Sequence, residues 1–172
     1  MRPITVKISI DRPADEVYDY LMDMASRPEF AGDLFLDFRL TRIESSGVGA
    51  GARYRLGKRV RDRFAGTTIV EGQPFGLVRE EGGTGRGGRV PLVFEYMLEQ
   101  NEGAPTQVTL TFGTAPILPI DRLREMGMRR KLNGRAKRAM RRLRDILERA
   151  PYAARGERAT VGGLDRFRIH NP

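Results

Sequence analysis

Ile4, Val6, Ile8 and Ile10 alternate with Thr5, Lys7 and Ser9, the period of two that a half-buried strand requires. The period changes after Asp11-Arg12-Pro13. Pro13 suits a first helical position, Asp15 and Glu16 complement a helix amino terminus, and Val17, Leu21 and Met24 recur at i, i+4 and i+7. Ser26-Arg27-Pro28 is expected to end this helix, with a short second helix around Glu29 to Gly32. From there to Phe112, alternation interrupted by Gly, Pro and Asn turns predicts six antiparallel strands. They fall near Leu36 to Glu44, Ala52 to Arg59, Phe64 to Glu71, Phe75 to Glu81, Arg89 to Glu99 and Thr106 to Thr114. Beyond Pro116 and Pro119, the residues Met128, Leu132, Ala136, Ala139, Met140, Leu143, Ile146 and Leu147 share an arc of about 120° on a helical wheel, the width of a core-facing stripe. Asp121 is placed to cap this long helix, and Pro151 prevents its continuation past Ala150. Gly127 and Asn133-Gly134 predict a kink or a separate first turn, with the helix firm from Met128.

This order of elements predicts an α+β fold with one antiparallel sheet and helices on one face of it. A chain of 172 residues with 40% hydrophobic composition supports one core, and residues 1–150 are assigned to it. Residues 151–172 carry no sustained period and are expected to form a flexible or loosely docked tail. In the alternative, Val161, Leu164, Phe167 and Ile169 form an arm on the body or on a partner subunit, and a homodimer is compatible with either. An alternating amino terminus and the lack of a long apolar run argue for a cytoplasmic protein.

Charge separates the long helix from everything else. Residues 121–149 hold 12 Lys and Arg against 4 Asp and Glu, whereas residues 1–120 hold 15 against 16. The long helix therefore carries nearly all of the net charge of +9. Such a face is either simply solvated or available to anionic membrane headgroups or nucleic acid. Nucleic acid ranks last, because no groove-reading motif accompanies the charge and the aromatics sit at core parity on strands. With no Cys and a single His, His170, the expected protein has no metal site and no cofactor. The glycine clusters at 47, 49 and 51 and at 82, 83, 85, 87 and 88 read as hairpin turns, since strands and not helices follow them.

Four stretches carry a resemblance: ISIDRPADEVYDYLMDMASRPEF, SSGVGAGARYRL, IVEGQPFGLVRE and EGAPTQVTLTF. In this order they resemble the SRPBCC superfamily, and within it the polyketide cyclase/dehydrase-like proteins, over about Pro3 to Ala150. The resemblance implies a helix-grip fold, in which a curved antiparallel sheet of about seven strands wraps around the long C-terminal helix and encloses an apolar cavity. It further implies binding or transport of a hydrophobic small molecule such as a lipid or polyketide. The alternatives are polyketide cyclase/aromatase or dehydrase activity in the same cavity, and action through the basic helix at membranes or nucleic acid. Trp is common in the first helix and around the pocket of such proteins. This chain has none, and Tyr18 stands at the usual aromatic position of the helix.

Strand parity gives the inward set Tyr54, Leu56, Leu92, Phe94, Tyr96, Leu110 and Phe112, joined by Met128, Leu132 and Ala136 from the helix. Arg79 shares parity with Phe75 and Leu77 and reads either as a surface arginine or as a group that holds a carboxylate or enolate. Tyr54 and Tyr96 read either as core tyrosines or as hydroxyls that orient a ligand. No catalytic residue is assigned.

Overall fold

A computed structural model describes residues 3–56, 64–115 and 119–149, apart from the side chains of residues 86 and 119–128. Seven strands form one fully antiparallel sheet: β1 (Ile4–Ile10), β2 (Phe35–Leu40), β3 (Gly51–Leu56), β4 (Phe64–Gln73), β5 (Leu77–Thr84), β6 (Val90–Glu99) and β7 (Thr106–Thr114). Their spatial order is β1-β7-β6-β5-β4-β3-β2. The chain thus crosses from one sheet edge to the other after β1, and then returns as a meander that ends beside its start. The crossing is made by α1 (Ala14–Met22), a 3-10 turn (Met24–Ser26) and α2 (Arg27–Ala31), and the chain closes with α3 (Pro119–Arg149). This is the α+β helix-grip architecture.

The sheet is strongly curved, as one contact shows. Phe35 on β2 and Phe94 on β6 are four strands apart, which in a flat sheet is about 19 Å at the usual strand spacing. Their ring centroids lie 5.5 Å apart. Only a sheet rolled toward its own concave face brings those two rings together. A register shift between Leu36 and Arg39, with Asp37 at φ +52°, bends the β2 edge, and a second shift between Ile69 and Glu71 bends β4. Bulges of this kind sharpen local twist. At Gly82 an added Cβ would lie 1.8 Å from the Gly66 carbonyl oxygen, so the tight approach of β4 and β5 demands glycine there.

The helices cover the concave face. Val17, Tyr20 and Leu21 of α1 and Phe30 and Ala31 of α2 are buried, as are Ala136, Ala139, Met140, Leu143 and Leu147 of α3, with Leu132 and Ile146 partly buried. α3 lies against β1 and α2. Its carboxyl end is fastened by Arg12, whose Nε and Nη2 donate to the carbonyls of Leu147 and Glu148, both at 2.9 Å. These are two of the acceptors that a helix end leaves without intrahelical partners.

Several boundaries differ from expectation. α3 begins at Pro119, so Asp121 falls within its first turn and does not precede it, and the chain is helical throughout Gly127 and Asn133-Gly134. An internal glycine costs a helix only about 1 kcal/mol relative to alanine, which the buried stripe on α3 outweighs. Ser26-Arg27-Pro28 opens α2 and does not simply end α1, because proline is well suited to a first helical turn. β5 starts at Leu77, since Phe75 sits in the preceding turn at φ +60°. The expected end of β3 at Arg59 and the tail at 151–172 lie outside the described residues. Among the described residues, no helix is long and apolar enough to cross a membrane.

Candidate ligand-binding site

The register aligns alternate residues of neighbouring strands into rows on the concave face. One row runs Ile4, Phe112, Phe94, Glu80 and Ile69, from β1 through β7, β6 and β5 to β4. The next joins Val6, Leu110, Tyr96 and Val78. Aromatic side chains dominate the wall. Phe38 stacks parallel to Tyr54 at 6.2 Å, Phe35 lies 4.3 Å from Tyr54, and Phe94 stacks on Phe112 at 5.1 Å. Tyr54, Leu56, Leu92, Phe94, Tyr96, Leu110 and Phe112 are all buried in this wall, with Ala136 buried and Leu132 partly buried on the facing helix. Met128 belongs to α3, and its side chain lies outside the described residues.

Among the described residues, one inner position of the sheet is charged. Glu80 is 1% exposed and stands in the aromatic row between Phe94 and Ile69. Its partner is Arg27, also 1% exposed, at the start of α2. Arg27 Nε and Nη2 both donate to Glu80 Oε1, at 2.9 and 2.8 Å, and Nη2 also donates to the carbonyl of Leu21. Thr67 donates its hydroxyl hydrogen to Glu80 Oε2 at 3.0 Å. Thr67 then has only acceptor capacity left, so the 3.2 Å contact with Tyr54 is a bond that the Tyr54 hydroxyl donates. A directed chain results, from Tyr54 through Thr67 to Glu80, with Arg27 on the other carboxylate oxygen.

The guanidinium carbon lies 5.1 Å from the centre of the Tyr96 ring and 5.6 Å from that of Phe30, close enough for cation–π attraction. Burial lowers the pKa of Arg27, but the charge and hydrogen bonds of Glu80 together with Tyr96 and Tyr20 outweigh this, and the net shift is upward. Burial pushes both Tyr54 and Tyr96 up, with the nearby Glu80 charge acting in the same direction. Both phenols therefore stay protonated, and Tyr54 spends its hydrogen on Thr67. One guanidinium nitrogen is left over. Arg27 Nη1 is buried and has no hydrogen-bond partner among the described residues.

Arg79 lies on the other face of the sheet. It is ion-paired with Glu81 at 2.7 Å, and both side chains are well exposed. Its expected parity followed Phe75 and Leu77, but Phe75 precedes the strand, and the pairings Val78 with Tyr96 and Glu80 with Phe94 set the inner face one residue out of phase. The same error concealed Glu80. Arg27 was concealed differently, because an arginine before proline at an expected helix end reads as surface. The signal that identifies both is the inner row itself, once Val78 is placed on it.

Elsewhere, a groove at the β6–β7 hairpin is lined by Phe75, Leu98, Gln100 and Pro105 among others. Gln100 is occupied there, accepting from the Ala14 amide at 2.9 Å and donating to the Ala104 carbonyl at 3.0 Å. Among the described residues, no group of three or more His, Cys, Asp or Glu is arranged to hold a metal ion.

Solved structures share this fold at low sequence identity. A protein from Thermus thermophilus, TTHA0849, matches with a TM-score of 0.63 and 14% identity over 83% of this chain and 94% of that one. DynU16, from the dynemicin biosynthetic locus, matches with a TM-score of 0.58 and 15% identity over 86% of this chain but 48% of its own. The major latex-like protein 151 of Panax ginseng matches with a TM-score of 0.53 and 14% identity over 79% of this chain and 96% of that one. No family model and no curated protein matches the sequence.

Proposed function

We propose that this chain, as a member of the SRPBCC superfamily, binds a hydrophobic small molecule between the concave face of its sheet and α3. The observation that carries the reading is the composition of that face. Aromatic and aliphatic side chains dominate it, and among the described residues one buried charged cluster interrupts them, besides the buried hydroxyls of Thr84 and Thr106. Small-molecule sites are built this way, with an apolar wall supplying affinity and a few fixed polar groups supplying orientation. Leu132 and Ala136 form the helical side of the site.

The test is to enlarge the helical side. Leu132→Phe is expected to keep the protein folded, shifting the thermal midpoint by only a few degrees, while uptake of naphthalene measured by fluorescence falls about tenfold. In a solidly packed interior the same change would cost about 1 to 3 kcal/mol through strain. Failure of the wild type to take up naphthalene would overturn the reading.

A second reading, cyclisation or dehydration of a polyketide in the same site, draws support from the Tyr54–Thr67–Glu80 chain, a buried relay directed toward a carboxylate, the direction that general-base catalysis uses. Chemical conversion of a bound poly-ketone, followed by mass spectrometry, would favour it over simple carriage.

A further inference from the structure

The buried ion pair is asymmetric. Both Glu80 oxygens are engaged, Oε1 accepting two bonds from Arg27 and Oε2 one from Thr67. Arg27 is not fully engaged, because its Nε and Nη2 are used while the buried Nη1 has no acceptor among the described residues. A buried donor left unpaired costs about 1 to 3 kcal/mol, more when it is charged, and native proteins seldom keep one without use. The guanidinium is held in place by Glu80, by the Leu21 carbonyl and by the Tyr96 and Phe30 rings. Tyr96 is two residues from Phe94 on the same inner face of β6. The free nitrogen is thus rigidly positioned beside the apolar wall.

We infer that Arg27 Nη1 donates to an oxygen of the bound molecule, and that this oxygen belongs to a neutral carbonyl. The inference rests on the proposed reading that the concave face takes up a hydrophobic molecule. Neutrality follows from charge. Arg27 and Glu80 already cancel, so a bound carboxylate would leave one net negative charge in a buried site, at a large desolvation cost. A ketone or aldehyde satisfies the donor without adding charge. The ligand class is accordingly a mostly hydrocarbon molecule with at least one carbonyl, of which an aromatic ketone is the simplest form.

Three probes of similar shape distinguish the outcomes: naphthalene, 2-acetylnaphthalene and 2-naphthoate, titrated calorimetrically into the full chain. The wild type is expected to bind the ketone at least about tenfold more tightly than the hydrocarbon, the gain typical of a hydrogen bond to a charged donor, and to bind the carboxylate most weakly. In bound 2-acetylnaphthalene the infrared carbonyl stretch should shift to lower frequency than in an alkane solvent. That readout needs no variant and so does not depend on a mutant's folding. In the charge-removing double variant R27M/E80M the ketone preference should collapse.

If naphthalene and 2-acetylnaphthalene bind the wild type equally, the anchor is wrong while the apolar site stands. Tightest binding by 2-naphthoate overturns the neutral-acceptor assignment. A ketone preference that survives in a folded R27M/E80M places the donor elsewhere and also overturns it. If no probe binds at all, the underlying reading fails, and this inference with it.

Discussion

Two sets of arginines occupy this molecule in opposite ways. On the outer side of α3, Arg138 and Arg142 approach Asp33 at 3.7 and 3.4 Å, with all three side chains roughly half exposed. Arg27 meets Glu80 at 2.8 Å with both side chains 1% exposed. The outer pairs are numerous, conspicuous in the sequence and energetically slight, since water and salt screen exposed charges and such pairs contribute about 0 to 1 kcal/mol. The inner pair is the one buried pair among the described residues, hidden in the sequence and heavily constrained. Breaking a buried pair leaves an uncompensated charge in the core, which costs far more than the pair itself contributes. The number of arginines therefore says little about where the chemistry sits, whereas burial says a great deal.

The comparison would break first at the inner pair. Arg27→Met or Glu80→Met alone is expected to lower stability by about 3 to 5 kcal/mol in urea denaturation. The double substitution should recover most of that loss, because it removes both charges together. Single substitutions that cost less than about 1 kcal/mol would place Arg27 and Glu80 in the same class as the surface pairs.

Alkaline titration sharpens the contrast from the phenols of the same cluster. Burial raises the pKa of Tyr54 and Tyr96 above the ordinary value of 10.0. The folded state thus holds these protons more tightly than the unfolded state does. The stability they contribute is fully present below about pH 10 and is lost as pH rises through the folded pKa values. Phenolate absorbance should show these two tyrosines ionising only as the protein unfolds. Ionisation of all tyrosines near pH 10 in the folded state would show the cluster to be open to water.

The smallest effect belongs to the outer face. Replacing Arg138 and Arg142 by Gln should change stability by no more than about 0.5 kcal/mol and leave naphthalene uptake intact. Salt-sensitive binding of anionic vesicles by the wild type, lost in this double variant, would instead give the basic face a partner.

What the sequence disclosed, and what it concealed, follows the same division between regular pattern and buried exception. Ile4 to Ile10, Leu92 to Leu98 and Val108 to Phe112 alternate so regularly that their inner faces read directly, and the α3 stripe from Leu132 to Leu147 does so at helical spacing. The curved sheet and the long helix were legible from these together with the motif resemblance. Glu80 was not, because its inward position depends on where β5 starts, and Phe75 looks like a strand residue while adopting a left-handed turn conformation. Arg27 and Phe35 escaped for a related reason. Their partners are 53 residues away in one case and four strands away in the other, and one-dimensional periodicity carries no information at that range.

The most direct test of the account is native mass spectrometry of the full chain purified without detergent from its own host, followed by denaturing release. The account predicts a discrete adduct, freed on denaturation, whose composition is mostly hydrocarbon with at least one carbonyl oxygen. A bare polypeptide that also takes up no naphthalene would contradict it, and would leave the concave face a packed core with the function elsewhere on the molecule.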